Sequence, residues 1–402
     1  LLTPGEQAEW GQQIAWSYYL NHADDDAVRL AGTAATGHGD WAAMANWVRG
    51  LAAFRAGDCA TAGEAFTRMA GNSRLAEDSA GGRFWAARAA VVCGRPEEAS
   101  QHLRAAAEAR DSFYGLLAAR MLGLGQPPVP LVKPGWGVLA GFPAAERAAA
   151  LVRIGERKLA DAVLRRAAAT GQPAQHNLLI AAAGSLNMPT TQLWLANHAP
   201  DGVALDPAAR FPTPDWQPIR GWRVDRALVF AHALQESRFA ADAVSRVGAR
   251  GVMQLMPGTA QLISRQFSEQ LDVTQLGDPA LNIDYGQAYL EQLRDSPLTG
   301  GLLPKVIAAY NAGPGSLKKW ADKGRDSLDP LLFIESIPYW ETRHYVEQVL
   351  RNYWAYERNA GRASASLEAI AQGLWPRFPG QPGASAIRLG AAPAAIRAAN
   401  AD

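Results

Sequence analysis

From the start of the chain to about residue 199, apolar positions recur at helical spacing, and most of them are alanine or leucine. A weak repeat runs through this stretch: Gly57, Ala62 and Phe66, then Gly94, Ala99 and Leu103, then Gly155, Ala160 and Leu164. In each copy a small residue follows the glycine by five positions and a large apolar one by nine. Glycine ends one helix, and two apolar residues four apart share the inner face of the next. The pattern predicts stacked helical hairpins, an α-superhelical, tetratricopeptide-like module in which each pair buries its apolar face on its neighbours. The copies stand 37 and then 61 residues apart. That irregularity leaves a helical bundle without repeat symmetry as the competing reading.

The helical pattern breaks over 200–223, where Pro207, Pro212, Pro214 and Pro218 accompany Trp216 and Trp222. Proline at this density cannot continue a helix, so the segment reads as a packed linker whose tryptophans dock on a neighbouring surface. Helical spacing resumes over 224–360: one apolar helix from Asp225, one opened by Pro257, one after Asp278-Pro279, one stopped by Gly313-Pro314, and an amphipathic one after Pro338. From 361 to 402 the chain carries Pro376, Pro379, Pro382, Gly380 and Gly383. This tail is expected to be irregular, with a short helix near 367–374. The fold class is therefore all-α, in four segments: 1–199, 200–223, 224–360 and 361–402.

Composition narrows the chemistry. Over 224–360, 14 Lys and Arg stand against 16 Asp and Glu, so no basic stripe exists to neutralise a phosphate backbone and nucleic acid is excluded as the expected partner. No run of 18 apolar residues spans a membrane. The seven histidines lack metal-ligand spacing, and no metal or other cofactor is expected. The two cysteines, Cys59 and Cys93, read equally well as buried thiols or as one disulfide in an oxidising compartment. The chain opens Leu1-Leu-Thr-Pro without methionine, which suggests that an upstream segment has been removed.

Glu236 is the most informative position. On its helix it shares a face with Val229 and Ala233, and a carboxyl on an apolar stripe loses hydration, which favours its protonated form. A general acid working near neutral pH needs that environment. Most helical glutamates are solvated surface groups; the apolar setting and the residues downstream argue otherwise here. Gly248, Gly251 and Pro257 punctuate a non-helical stretch in which Gln254 offers an amide donor and acceptor and Met256 an adaptable apolar wall. Taken alone, Gly251-Val-Met-Gln-Leu-Met-Pro257 is a turn feeding a helix. Tyr310 and Asn311 fall at a helix end, where side chains reach into a cleft. Glu341 and Arg343 read either as site groups or as a local ion pair of little worth, and Glu335 as structural.

Gln-Glu-Ser at 235–237, the Gly-Val-Met-Gln-Leu-Met-Pro run, Ala309-Tyr310-Asn311-Ala-Gly313 and Glu341-Thr-Arg343 follow one another within 108 residues from Glu236. That ordered set resembles the catalytic domain of the soluble lytic transglycosylases, over about 222–358. The resemblance implies a lysozyme-like helical domain and cleavage of bacterial peptidoglycan. It places the single catalytic acid at Glu236 and substrate contacts at Ser245, Met253, Gln254, Met256, Tyr310, Asn311 and Glu341. Val252 stands where the family often has leucine. The amino-terminal module, including the run Ser112-Phe-Tyr-Gly-Leu-Leu-Ala-Ala119, is more loosely similar to the family's superhelical region. The resemblance further implies a periplasmic location, glycan strands of peptidoglycan as substrate and other cell-wall enzymes as candidate partners. Two other readings compete: a muramidase that hydrolyses the same bond with water, and a helical-repeat scaffold that only binds glycan.

Overall fold

The structure is a computed structural model that describes residues 3–36, 39–124, 136–321 and 328–389. Helix dominates it, as expected of an all-α chain. In order, the helices are α1 (Pro4–Leu20), α2 (Asp24–Ala34), α3 (Asp40–Ala56), α4 (Cys59–Asn72), α5 (Ala76–Val92), α6 (Pro96–Ala107), α7 (Phe113–Met121), α8 (Pro143–Arg153), α9 (Arg157–Thr170), α10 (His176–Ser185), α11 (Pro189–Asn197), α12 (Arg226–Ser237), α13 (Pro257–Gln266), α14 (Pro279–Asp295), α15 (Leu303–Ala312), α16 (Pro314–Ala321), α17 (Pro330–Glu335), α18 (Trp340–Asn359) and α19 (Ala365–Ala371). Two short strands, β1 (Trp375–Pro376) and β2 (Ala386–Ile387), pair antiparallel. Among the described residues, no helix is long and apolar enough to cross a membrane.

The chain divides into two compact units that are not contiguous in sequence. The first takes Leu1–Gln126, Pro297–Arg351 and Ser364–Asp402; the second takes Pro127–Ser296 and Asn352–Ala363. Contact density thus groups the chain differently from the linear division at 199, 223 and 360, and α18 contributes residues to both units.

All three glycines of the sequence repeat do the same thing. Gly57, Gly94 and Gly155 adopt φ of 87°, 70° and 85°, the left-handed conformation that costs glycine nothing. In each case the next residue donates its N–H back across the helix end: Asp58 to Ala53 O at 2.9 Å, Arg95 to Ala90 O at 2.8 Å, Glu156 to Leu151 O at 2.9 Å. This closes a Schellman cap, satisfies an otherwise orphaned carbonyl and turns the chain into the next helix. Ala62 and Phe66 on α4, and Ala160 and Leu164 on α9, are then wholly buried, with Ala99 and Leu103 on α6 nearly so.

In the first unit the core is aromatic. Trp47, Phe66, Trp85 and Tyr114 pack with ring centroids 5.5–6.4 Å apart, and the Trp85 indole donates to Tyr114 Oη at 2.9 Å. Burying each such ring stabilises the fold by about 1.5–3 kcal/mol. Tyr114 in turn donates to Glu335, which is 1% exposed. The cysteines are bridged: Cys59, opening α4, and Cys93, closing α5, have Cα atoms 5.7 Å apart across a separation of 34 residues.

The carboxy-terminal segment is less irregular than its prolines suggest. Its short helix lies at Ala365–Ala371, slightly before the expected place, and β1–β2 follow. Trp375 and Phe378 are buried, and Arg377 N donates to Ser385 O at 2.8 Å. Two large rings with a core to enter outweigh the local turn propensity. The end of the tail, 390–402, lies outside the described residues.

Two predictions follow from this packing. Opening the Cys59–Cys93 loop by the double substitution C59S/C93S is expected to cost about 3–4 kcal/mol on the chain-entropy argument; denaturant unfolding of oxidised protein and double variant measures the difference. The second concerns Glu335 and Glu347. Burial pushes both carboxyls up, Glu347 well above the usual glutamate range of about 4.5 because the Glu335 charge adds to it, while Arg343 partly offsets the effect. The fold therefore holds more protons here than the unfolded chain, and the stability present below about pH 4.5 falls as pH rises. Glu347→Gln is expected to flatten that slope of unfolding free energy above about pH 4.5. Parallel slopes would mean that both acids are charged in the fold.

Candidate active site

Asp225 caps α12 by accepting from Ala227 N at 2.8 Å, and Arg362 holds the same carboxylate through two bonds of 2.7 and 2.9 Å. Val229 and Ala233 are fully buried on this helix, and Glu236, in the last turn, is half-buried. The negative end of the helix dipole there opposes a charged carboxylate. One turn earlier, His232 is wholly buried, and desolvation pushes its imidazole down to about 3, so it stays neutral at physiological pH.

Beyond Glu236 the backbone takes two consecutive left-handed residues that are not glycine, Arg238 at φ 52° and Phe239 at φ 65°. Such conformations cost on the order of 1–3 kcal/mol each and persist where surrounding packing dictates them. Phe239 is 1% exposed and meets Phe230 and Trp216 at 5.9 and 6.1 Å. Ring burial thus fixes the turn that ends the Glu236 helix. Ser237 ties the same end to the following loop, donating to Val252 O at 2.8 Å.

That loop is held from beneath by α14. Asn282, fully buried, accepts from Met253 N at 2.8 Å and donates to Arg250 O and Leu276 O, each at 3.0 Å. Gly251, at φ 78°, lies against Asn282; a Cβ there would sit 2.2 Å from Leu276 O, so no other residue fits. Met253 is likewise fully buried, seated where a Cβ on Gly286 would come within 2.2 Å of its sulfur. The expected substrate contact at Met253 gives way to a packing role, because its side chain points into the core.

Ser245 and Gln254 shape the loop as well. Ser245 Oγ accepts from Ala249 N at 2.9 Å, and Gln254, strained at φ 46°, donates to Gly251 O at 2.9 Å and Ala243 O at 3.3 Å. Met256 begins α13 with 44% exposure, an apolar surface open to a ligand.

The proline-rich linker is clamped to α14. Arg220 and Arg223 both pair with Asp284, which is 0% exposed; Arg223 Nη1 lies 2.6 Å from it and Arg223 Nε 3.0 Å from Glu291. Gln287 accepts from Arg223 N and Val224 N at 2.8 and 3.1 Å. Trp216 and Trp222 dock on Phe239 and Phe230 as the composition suggests. Asn282 and Gly286, four residues apart on one face of α14, are thus the scaffold that meets this loop.

Tyr310, Asn311 and Glu341 belong to the first unit. Tyr310 is 8% exposed at the end of α15, and Asn311 Oδ1 accepts from Thr342 Oγ1 at 2.7 Å. The Tyr-Asn and Glu-Thr-Arg motifs are therefore joined by a direct hydrogen bond. Glu341 is exposed in the first turn of α18, where the helix dipole favours a carboxylate.

Residues 217–331 match the transglycosylase SLT domain family. The soluble lytic murein transglycosylase of Salmonella typhimurium is 39% identical over 35% of this chain and 22% of its own length, and that of Escherichia coli K12 is 39% identical over 34% and 21%. The match thus spans about a fifth of those curated relatives. An inactive Glu-to-Gln mutant of lytic transglycosylase Slt from Pseudomonas aeruginosa superposes with a TM-score of 0.64 at 27% identity, covering 90% of this chain and 59% of that one. The Escherichia coli 70-kDa enzyme gives 0.64 at 23% identity over 92% and 64%, a likeness of fold.

Asn282→Ala is expected to destabilise the protein by at least about 2 kcal/mol, since it strands buried backbone groups that each cost about 1–3 kcal/mol unpaired. A shift in denaturation midpoint at unchanged m-value reads it; an unshifted midpoint would show that the loop is held by other groups.

Proposed function

We propose that this chain, which carries a transglycosylase SLT domain and is related to the soluble lytic murein transglycosylases, is a peptidoglycan lytic transglycosylase with Glu236 as its single acid and base. The observation that carries this reading is the setting of Glu236: half-buried on an apolar helix face, at a strained helix end tied by Ser237 to a loop that Asn282 fixes. The inactivity of the Pseudomonas relative's Glu-to-Gln mutant supports a required glutamate in this fold.

In that mechanism the Glu236 carboxyl protonates the glycosidic oxygen between N-acetylmuramic acid and N-acetylglucosamine, and the C1–O bond breaks. The resulting carboxylate takes the proton from the muramoyl 6-hydroxyl, whose oxygen closes on C1. The product is a 1,6-anhydro sugar and no water is consumed. Because the attacking hydroxyl is already tethered, proximity replaces the second carboxylate that most glycosidases use. The substrate's 2-acetamido group can assist at C1. Met256 supplies an apolar wall and the Gln254 amide an acceptor for an acetamido N–H, while Ser245 holds the loop. Tyr310, Asn311 and Glu341 remain candidate substrate groups.

We place the enzyme in the periplasm, where its substrate lies and where a Cys59–Cys93 bridge persists. The segment 224–360 is the proposed catalytic region, and the helical repeats of 1–199 guide long glycan strands.

Glu236→Gln is expected to fold normally and to lose at least ~10²–10⁴ in rate, the share of general acid–base catalysis alone. Mass spectrometry of digested peptidoglycan separates the two enzymatic readings, since an anhydro product lacks one water relative to a muramidase product. Undiminished muropeptide release by the variant would overturn the assignment.

A further inference from the structure

The hairpin of α8 and α9 in the second unit carries a surface that neither its own packing nor the reaction above uses. From Arg153 to Leu159 every residue is exposed, Ile154 at 72% and Leu159 at 53%. These residues form the bend of the hairpin, which Gly155 closes at φ 85° as Glu156 N donates to Leu151 O at 2.9 Å. The hairpin already fills its core through Ala145, Ala148, Ala160 and Leu164, all wholly buried, and Ile154 and Leu159 take no part in it. Arg157 fixes the bend: its guanidinium donates to Leu186 O and Asn187 O, at 3.2 and 2.6 Å, between α10 and α11. The exposed side chains are thus presented on an anchored turn.

Charge is concentrated on the same hairpin. Six Lys and Arg but only three Asp and Glu fall within 143–170, a local charge of +3 in a chain whose net charge is +1. Two of the acids serve local structure. Asp161 pairs with Arg165 at 2.8 Å and accepts from Thr191 Oγ1 at 2.6 Å, and Glu146 accepts from Gly141 N at 2.9 Å. Arg147, Arg153, Lys158 and Arg166 are exposed and form no ion pair among the described residues. Arg153 and Lys158 flank the bend itself, and Glu156 is the single acid there. Arg147 and Arg166 stand about two helical turns back, roughly 10 Å, which is about one Debye length at physiological salt.

Cations without carboxylate partners call for an anionic partner. Exposed Ile and Leu set between them call for a partner with apolar material beneath its charge. A hydrated polyanion meets only the first requirement. An anionic lipid layer meets both, since its headgroups attract the cations and its headgroup–acyl boundary admits aliphatic side chains.

We propose that the α8–α9 bend docks this chain reversibly on an anionic phospholipid surface, with Ile154 and Leu159 entering the interface and Arg153 and Lys158 meeting the headgroups. Arg147 and Arg166 add attraction at longer range. The contact shares no residue with the Glu236 site and does not rest on that chemistry.

The test sediments the full chain with vesicles of equal parts phosphatidylcholine and phosphatidylglycerol, and with pure phosphatidylcholine vesicles, at low and at high salt. The anionic vesicles are expected to bind at least about tenfold more tightly, and salt to weaken that binding. Each cation near such a surface strengthens binding roughly fivefold, so the double variant Arg153→Gln, Lys158→Gln is expected to lose at least about tenfold. The double variant Ile154→Ser, Leu159→Ser is expected to lose at least about fivefold. All four side chains are exposed, and circular dichroism checks that both variants keep their helix content. Equal binding to the two vesicle types, or binding to neither, overturns the proposal. So does undiminished binding by the serine variant, which would make the bend a purely electrostatic surface. Sedimentation with purified peptidoglycan sacculi supplies the remaining comparison: a loss there as large as on vesicles, in both variants, would assign the bend to the wall polymer and refute the lipid reading.

Discussion

The site depends on how backbone polar groups are satisfied where no regular structure exists to pair them. Residues 250–253 run as a loop beneath Glu236, and buried N–H and C=O groups left alone there would each cost about 1–3 kcal/mol. One carboxamide meets two of them and a neighbour: Asn282 bonds Met253 N and Arg250 O in the loop and Leu276 O outside it. The same helix, α14, seats Met253 against Gly286 and holds the linker through Asp284 and Gln287. Asp284 is buried, so losing either arginine would leave a charge only partly compensated, a defect that costs about 3–5 kcal/mol when the pairing is lost outright. α14 is therefore the template on which both flanks of the Glu236 helix are laid.

Against that template the chain carries strain. Arg238, Phe239 and Gln254 all occupy left-handed backbone without being glycine, together on the order of several kcal/mol. Burial of Phe239 among Phe230 and Trp216 offsets part of this, and the Gln254 side chain returns two hydrogen bonds to its own loop. The consequence is positional. Glu236 stands at an abruptly ended helix rather than midway along one, and Ser237 fixes its distance from the loop.

The first unit resolves a different conflict. Its aromatic core favours a dry interior, yet Glu335 ends within it and Glu347 lies at its edge. An isolated buried carboxylate would cost several kcal/mol. For Glu335, taking the Tyr114 hydroxyl and lying near Arg343 reduces that cost, and these contacts link α7 to α17 and α18. The Thr342–Asn311 bond then connects α18 to α15, so the two motifs of this unit are set by one network.

Local chemistry alone determined much of this protein. Periodicity and cap glycines fix the helical hairpins, since Gly57, Gly94 and Gly155 each need a backbone conformation that glycine adopts freely, and the apolar residues after them enter the core. The linker's prolines were equally legible, and motif order singled out Glu236 as the candidate acid. What sequence did not contain was direction. Met253 and Met256 are equally apolar, but only the packing against Gly286 turns one inward and leaves the other exposed. Asn282 looks like any polar residue of a surface helix until the loop it holds is present. The tail's prolines signalled turns, and only a core able to receive Trp375 and Phe378 ordered them. The pairing of Cys59 with Cys93 and the bond from Tyr114 to Glu335 required residues distant in sequence to meet. Those outcomes depend on long-range burial, which is a property of the assembled fold and not of any local stretch of chain.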